Sequence, residues 1–336
     1  MIEYLSEYGV FLLKTVTIVA AIMLILGMLL NAAERQKERK GELNIQNLSE
    51  GLKDVQQHMQ FAMLDGKARK QAEKAAKKAK NSTPSAKRVF VIDFKGSMDA
   101  KEVESLRREV TAVLAVADTK QDEVVVRLES PGGVVHGYGL AAAQLKRLRD
   151  AQIPLTVSVD KVAASGGYMM ACIADKIVAA PFAILGSIGV LAQMPNFHRW
   201  LKNHDIDFEQ LTAGEYKRTL TVFGENTEKG RKKYQEDLED IHVLFKEFVK
   251  EHRANLDIDA VATGEIWFGQ RALDQGLIDE IATSDDLLLR LNKDATVFKV
   301  EYKEKLKLAN KIAHGAHTTI DRLLMSWFER VQFWRY

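Results

Sequence analysis

Three short apolar runs decide the fold: VFVIDF at residues 89–94, EVVVRLES at 123–130 and PLTVSVD at 154–160. Two longer stretches, 100–117 and 138–149, separate them and have the apolar spacing of helices that bury one face. An order of strand, helix, strand, helix, strand is typical of a parallel sheet covered by helices. The sequence therefore predicts an α/β domain.

The pattern continues toward the C-terminus. DKIVAAP at 175–181 and GSIGVLAQ at 186–193 have the length and apolar character of buried strands, and FEQLTAGEYKR at 208–218 resembles a strand followed by a loop. Residues 227–254 form a long charged amphipathic stretch that predicts a helix. Gly276 follows RALDQ, where a glycine commonly ends a helix.

The apolar segment GVFLLKTVTIVAAIMLILGMLL at residues 9–30 holds one charge, Lys14, and predicts a transmembrane helix. A cleaved signal peptide is the alternative, but its apolar region would be shorter. We expect five parts along the chain: an N-terminal tail at 1–8, the transmembrane helix at 9–30, a basic polar linker at 31–87, the α/β domain, which holds the motifs described below, at 88–290 and a C-terminal amphipathic extension at 291–336.

Composition limits the classes of function. The chain has 336 residues with a net charge of +2, and that balance gives no reason to expect nucleic acid as a partner. Positive charge is concentrated in residues 31–90, which hold 14 Lys or Arg against 7 Asp or Glu. A solvated spacer or a strip that lies on anionic lipid would both explain it. The single cysteine, Cys172, excludes intramolecular disulfides and cysteine-rich zinc sites.

Three glycine-bearing turns follow the predicted strands: SPGG at 130–133, SGG at 165–167 and GSIGV at 186–190. Ser165 stands just before an apolar run that predicts a helix, so it is placed at a helix start where glycines let a substrate approach. A serine that caps the helix would explain the same residue. Taken alone, each turn is a weak signal.

Together, the ordered motifs are specific. SPGG, then SGGYxxAxxADKIVA, GSIGV, GEYKR and WFGQRALDQGLID occur in this order between residues 88 and 282. In this set the chain resembles the signal peptide peptidase A family. The resemblance implies an α/β fold like that of Clp protease and crotonase, a spiral of ββα units that assembles into rings or domes.

The resemblance also implies roles for individual residues. Ser165 would be the nucleophile and Lys217 of GEYK the general base. Gly132 and Gly133 of SPGG would form the oxyanion hole, and Ser187 of GSIGV would orient the lysine amine. A lysine acts as a base only when it is neutral, and burial favours the neutral amine, so such a site must exclude water.

Other assignments remain open at this point. A Ser/His/Asp triad of the Clp type could use His198 or His204 as base, although both lie in a polar segment, NFHRWLKNHD. A crotonase-like enzyme acting on acyl-CoA would also use a PGG turn, and a catalytically silent membrane scaffold would keep the fold without the chemistry. No HExxH motif occurs, and we expect neither a metal nor a cofactor.

The expected partners are peptide substrates, the lipid bilayer and further copies of the chain, with active sites at subunit interfaces. The resemblance suggests small apolar residues at the cleavage site, and an inner-membrane location. The side of the membrane is ambiguous, because Lys and Arg after residue 30 favour a cytoplasmic domain whereas the family resemblance favours the outside. The amphipathic segment TTIDRLLMSWFERVQFWRY at 318–336 could pack in a core or oligomer, or lie on the membrane surface.

Overall fold

The computed structural model describes residues 12–18, 41–78 and 87–304. The chain divides into one unit of Leu43–Tyr302 and another of Met1–Glu42 with Lys303–Tyr336. Of the second unit, residues 12–18 are helical, with exposed side chains. Within the described residues no helix combines the length and the apolar character needed to cross a bilayer. Most of the predicted transmembrane helix at 9–30, and residues 305–336 of the C-terminal extension, lie outside the described residues.

Ten strands and ten labelled helices lie in the described residues 41–78 and 87–304. The strands are β1 (Gly41–Asn47), β2 (Arg88–Lys95), β3 (Glu123–Glu129), β4 (Leu155–Val159), β5 (Val162–Ala164), β6 (Lys176–Ala179), β7 (Ile184–Gly186), β8 (Ile266–Phe268), β9 (Glu280–Ile281) and β10 (Thr296–Glu304). The helices are α1 (Leu48–Ala62), α2 (Gly66–Lys78), α3 (Val103–Val116), α4 (Val135–Asp150), α5 (Gly166–Ala171), α6 (His198–Lys202), α7 (Glu228–His252), α8 (Ile258–Val261), α9 (Gly269–Asp274) and α10 (Ser284–Leu291).

The strands form two sheets. The larger has the order β1-β10-β2-β3-β4-β6-β9, and its pairs from β10 to β9 are parallel. The smaller has the order β5-β7-β8, with β5 and β7 parallel and β7 and β8 antiparallel. A single parallel bridge between Ser130 and Ala163 joins the end of β3 to β5. The predicted α/β class with a parallel sheet is confirmed.

Both faces of the larger sheet are covered, which explains why its strands are nearly continuous apolar runs. One core contains the apolar faces of α3, α4, α5 and α7 against β2, β3 and β4. The second core is smaller and includes Val89, Val91 and Val125 beneath Leu287 and Leu288 of α10.

The sheet extends beyond the expected boundaries of the peptidase domain. Strand β1 lies in the segment expected to be a linker, 31–87, and β10 lies in the expected C-terminal extension, 291–336. The hydroxyl of Ser49 accepts a hydrogen bond from the amide of Val297 at 2.8 Å, which connects the two segments. These contacts join residues about 250 positions apart, so local sequence patterns do not reveal them.

Two of the local predictions are confirmed and one strand is wrong. The long helix is confirmed as α7, which Thr227 caps by accepting the amide of Gly230 at 3.1 Å. Gly276 is confirmed as the glycine that ends α9; it follows the C-cap residue Gln275 and has a φ of 77°. The strand expected at 186–193 is wrong, since β7 ends at Gly186 and Ser187 turns away with a φ of 51°.

Candidate active site

Ser165 occupies a sharp turn between β5 and α5. Its backbone has a φ of 51° and a ψ of −119°, a conformation that is strained for any residue with a Cβ atom. The amide of Ser165 donates to the carbonyl of Gly186 at 2.8 Å, and the carbonyl of Ser165 accepts the amide of Met169 at 3.0 Å. Ser165 stands at the N-cap position, but its side chain accepts no amide of the helix. Helix capping therefore does not account for this serine.

The two glycines after Ser165 are required by close packing. A Cβ atom at Gly166 would overlap the ring of Tyr138, and one at Gly167 would lie 2.6 Å from the carbonyl oxygen of Ser130. The SGG sequence thus lets α5 start directly against α4 and the end of β3. Strain at the serine is maintained because its neighbours cannot move apart without breaking these contacts.

The glycine turn after β3 lies against the serine. Gly132 has a φ of 89°, and a Cβ atom there would be 2.7 Å from the Cβ of Ser165 and 2.8 Å from the amide nitrogen of Gly166. The next residue, Gly133, is equally confined, because a Cβ atom there would overlap the carbonyl of Met98. The structure therefore brings Gly132 against Ser165, and Gly133 lines the same cavity as Ser165, an arrangement that suits a serine nucleophile and its oxyanion hole.

The amides of this region differ in their availability. Gly132 donates its amide to the hydroxyl of Ser130 at 3.1 Å, so this amide is already bonded. Within the described part of the chain, the amides of Gly133 and Gly166 have no acceptor. Gly166 is absent from the sequence-based assignment of the oxyanion hole. Its position directly after the nucleophile, at the first turn of a helix, was the available signal.

Ser187 lies one residue beyond the carbonyl that holds Ser165. It follows Gly186, has a φ of 51° and donates its amide to the carbonyl of Glu265 at 2.6 Å. Glu265, the residue before β8, thereby holds the turn whose Gly186 carbonyl accepts the amide of Ser165. Trp267 of β8 packs onto this turn too, since a Cβ atom at Gly186 would be 2.7 Å from its indole Cδ1.

A cavity of about 270 Å³ opens beside Ser165. Its walls come from α4, α5, α7 and the segment after Ser187, and most of them are apolar: Val135, Tyr138, Met169, Val190, Ile241, Leu244, Phe245 and Phe248, with Gly133, Gly139, Ser165, Gly166 and Gly189 completing the lining. The size and apolar walls fit one hydrophobic side chain of a ligand. Ser165 and the free amides would then face the bond next to that side chain.

Lys217 lies elsewhere in the subunit. It is exposed, its amide donates to the carbonyl of Gly214 at 3.2 Å, and it is not among the residues that line the cavity. No hydrogen bond joins Lys217 to Ser165 or Ser187. Within one chain, the proposed nucleophile and the cavity beside it are thus present, and the proposed base is exposed and does not line that cavity.

Neither candidate histidine meets Ser165. His198 begins α6, while His204 stacks on Trp200 with ring centroids 4.4 Å apart and bonds its carbonyl through Nδ1 at 2.7 Å. Neither lines the cavity, and neither bonds a carboxylate among the described residues. In the same residues, no group of three or more His, Cys, Asp or Glu side chains is arranged to hold a metal ion.

The chain matches two protein-family models and several known proteins. Residues 3–145 match the model of the peptidase family S49 N-terminal region, and residues 147–298 match that of peptidase family S49. The probable protease SohB of Haemophilus influenzae is 49% identical over 330 residues, which cover 94% of this chain and 93% of that protein. The probable protease SohB of Buchnera aphidicola is 55% identical over 243 residues, which cover 72% of each.

The resemblance to the signal peptide peptidase A family is confirmed as well. A protein of Enterococcus faecium that bears the SppA name is 31% identical over 226 residues, which cover 62% of this chain and 65% of that protein. Among solved structures, a mutant of the 1510-N membrane-bound stomatin-specific protease aligns with 61% of this chain and 84% of its own, at 15% identity and a TM-score of 0.40. That structural likeness is too weak to add to the assignment.

Proposed function

Since the chain belongs to peptidase family S49, we propose that it is a membrane-anchored serine endopeptidase with a Ser165/Lys217 dyad. The observation that supports this most is the setting of Ser165. It is held in a strained turn that lines an apolar cavity, and the amides of Gly133 and Gly166, which have no acceptor among the described residues, belong to the lining of the same cavity. Nucleophilic serines need this combination of exposure, fixed geometry and nearby donors.

The reaction would proceed in two steps. The hydroxyl oxygen of Ser165 attacks the carbonyl carbon of the peptide bond while the neutral amine of Lys217 takes the hydroxyl proton. The amides of Gly133 and Gly166 stabilise the resulting oxyanion, and the lysine returns the proton to the departing amine. Water then attacks the acyl-enzyme with the same lysine as base. Ser187 would orient the lysine amine from the turn beside Ser165.

The cavity supports a preference for an apolar residue on the acyl side of the cleaved bond. Its walls offer no charged group, so a charged side chain would lose its hydration without compensation. Remnant signal peptides and fragments of membrane proteins supply such residues in extended, accessible form. We propose these as the substrate class.

Lys217 would reach the site from a neighbouring subunit. It belongs to a segment, residues 191–226, that exposes large apolar side chains: Leu191, Phe197, Trp200, Phe208, Leu211, Tyr216 and Phe223. Leu211 is 95% exposed. Apolar surface of this extent is typical of a contact with another protein. A neighbour that covers it would also exclude water from Lys217, as a lysine base requires.

The segment is preformed for such a contact. The ring of Phe223 packs against Phe197 and Phe208 at centroid distances of 6.2 and 5.8 Å. The side chain of Asn196 donates to the carbonyls of Thr221 and Gly224 at 2.9 and 3.0 Å. Because these contacts fix the shape of the segment before assembly, docking would not require its complete ordering.

The proposal places the protein in the cell inner membrane. Residues 9–30 would anchor it there as one helix, and the catalytic unit would adopt the ββα spiral of Clp-like proteins and assemble into rings or domes. A reporter fused to the C-terminus, active on only one side of the membrane, would assign the side. Reporter activity on neither side would argue against a single-pass anchor.

A serine-directed phosphonate tests the chemistry. The wild-type protein should be labelled at Ser165, as identified by mass spectrometry of its peptides, and Ser165→Ala should not be labelled. Ser158→Ala is the matched control, because Ser158 is a buried serine of β4 whose hydroxyl has no hydrogen-bond partner among the described residues. Absence of label from the folded wild-type protein would favour the scaffold, and turnover of acyl-CoA without peptide cleavage would favour the crotonase-like enzyme. Labelling that disappears when His198 or His204 is replaced by alanine would favour a triad.

A further inference from the structure

A pair of buried hydroxyl groups lies directly behind the glycine turn. Ser130 and Tyr138 are both 0% exposed, and their hydroxyl oxygens are 2.5 Å apart. The hydroxyl of Tyr138 donates to the carbonyl of Ser97 at 2.9 Å, and the hydroxyl of Ser130 accepts the amide of Gly132 at 3.1 Å. These contacts connect the loop after β2 with the turn that faces Ser165.

The direction of the chain follows from counting protons. A phenol has one proton, and Tyr138 gives it to the carbonyl of Ser97, which can only accept. The short contact between the two hydroxyls must therefore use the proton of Ser130, with Tyr138 as acceptor. The hydrogen bonds then run in one direction, from the Gly132 amide to the Ser130 hydroxyl, from Ser130 to the Tyr138 hydroxyl and from Tyr138 to the carbonyl of Ser97. The pKa of Tyr138 is raised, because the effect of burial exceeds the opposing effect of the hydrogen bond with Ser130, so the phenol keeps its proton.

Both residues are fixed by further contacts around the nucleophile. The amide of Ser130 donates to Val162 at 2.8 Å, and its carbonyl accepts the amide of Ala164 at 3.0 Å, directly before Ser165. Tyr138 lines the cavity, and its ring occupies the space that a Cβ atom at Gly166 would need. One hydroxyl pair thus touches the cavity wall, the strand before the nucleophile and the glycine turn.

We propose that Ser130 and Tyr138 are positioning residues that hold the amide of Gly132 inward and so present the amide of Gly133 to the oxyanion. Residue 131 is a proline and has no amide proton, so the turn offers only the amides of Gly132 and Gly133. Bonding of the first to Ser130 fixes the peptide plane before Gly132 and restricts the orientation of the second. The proposal rests on the serine peptidase function proposed above, and it changes the donor expected from the sequence.

The test compares Ser130→Ala and Tyr138→Phe with Tyr168→Phe. Tyr168 is another tyrosine at 0% exposure, and its hydroxyl donates to the carbonyl of Leu277 at 2.9 Å, away from the turn. All three variants lose one buried hydroxyl. If the pair positions the oxyanion donor, Ser130→Ala and Tyr138→Phe should lower kcat about 10- to 100-fold with KM within about threefold, less than removal of a whole oxyanion donor costs. Tyr168→Phe should keep kcat within about twofold.

Hydrogen exchange supplies a readout that needs no activity. In a Ser165→Ala background, Ser130→Ala should speed exchange of the Gly132 amide at least about tenfold, because its acceptor is lost, while Tyr168→Phe should leave it unchanged. Tyr138→Phe keeps the ring that fills the space beside Gly166 and serves if Ser130→Ala does not fold. A kcat for Tyr138→Phe equal to that of Tyr168→Phe would overturn the proposal. Loss of phosphonate labelling in the wild-type protein would instead overturn the peptidase assignment, so the two failures are distinct.

Discussion

The surroundings of Ser165 and those of Lys217 are built in opposite ways. Ser165 lies in the turn between β5 and α5, among glycines packed so closely that a single methyl group would collide with a neighbour. Lys217 lies in an exposed segment, residues 191–226, whose regular structure is limited to the five residues of α6. The first region is completed by the fold of one subunit. The second has a fixed shape but exposes its apolar side chains, as expected of a surface that a second subunit completes.

The difference also separates two physical requirements. A nucleophile needs precise placement, which a packed core supplies. A lysine base needs removal from water, because a solvated lysine is almost entirely protonated at neutral pH and cannot accept a proton. Within one chain, Ser165 has the precise placement, whereas Lys217 is exposed to solvent. The predictions below test whether assembly meets the second.

The largest effect is expected from the two residues themselves. Ser165→Ala and Lys217→Ala should each lower kcat by about 10³-fold or more, because the two groups of the proposed dyad would act as one chemical unit. Lys217→Arg should be equally inactive, since a guanidinium does not lose its proton. Rates of peptide cleavage measured on assembled protein check this. Cleavage by Lys217→Ala at a near-normal rate would show that the exposed segment has no part in the chemistry.

Mixing the two inactive proteins tests whether the regions meet across an interface. Ser165→Ala subunits keep the lysine, and Lys217→Ala subunits keep the serine. Each site needs one particular order of neighbours, so random co-assembly should restore about one quarter of the wild-type activity. The measurement is peptide cleavage after mixing, with co-assembly verified by differently tagged subunits. A co-assembled mixture that stays inactive would place the dyad within one chain.

A charge on the exposed segment should weaken assembly without unfolding the subunit. Leu211 is 95% exposed, so Leu211→Glu costs little in the free subunit but would bury a carboxylate in the proposed interface. We expect loss of the oligomer in sedimentation and about a tenfold or greater loss of cleavage at low protein concentration, which recovers as the concentration rises. Leu289→Glu is the control, as Leu289 is 51% exposed on α10, outside the segment. Equal oligomer loss in both variants would contradict the assigned interface.

The same contrast explains what could be predicted from the sequence. The strands around residues 89–160, helix α7 and the turn at Ser165 follow from local patterns, and the structure has them. The pairing of β1 and β10 in the main sheet depends on contacts between distant segments, which local patterns do not encode. The Ser130 hydroxyl accepts the Gly132 amide only in one side-chain rotamer of Ser130, which the sequence does not specify. The proposed contact of Lys217 with another subunit is outside the reach of any single-chain pattern.

The smallest expected effect is on the choice of substrate, through the cavity beside Ser165. Gly139 lies inside α4 and lines the cavity, and no atom of the described residues is within 4 Å of the place where its Cβ would be. Gly139→Ala should therefore raise the free energy of unfolding by up to about 1 kcal/mol, through helix propensity, and raise Tm by about 2–4 °C. The added methyl group narrows the cavity, so peptides with a bulky apolar residue at the cleavage site should be cleaved about two- to fivefold more slowly relative to peptides with alanine there.

Gly137→Ala provides the matched comparison within the same helix. Gly137 does not line the cavity, and a Cβ atom there would be 3.0 Å from the Cβ of Ala100 and 3.2 Å from the carbonyl of Asp99, so no gain in stability is expected. Its ratio of cleavage rates for the two peptides should equal that of the wild-type protein. If Gly139→Ala also leaves this ratio unchanged while Tm rises, the cavity does not hold the substrate side chain. Substrate specificity would then have to come from the segment 191–226 of the neighbouring subunit, and the region around Ser165 would not select the substrate side chain.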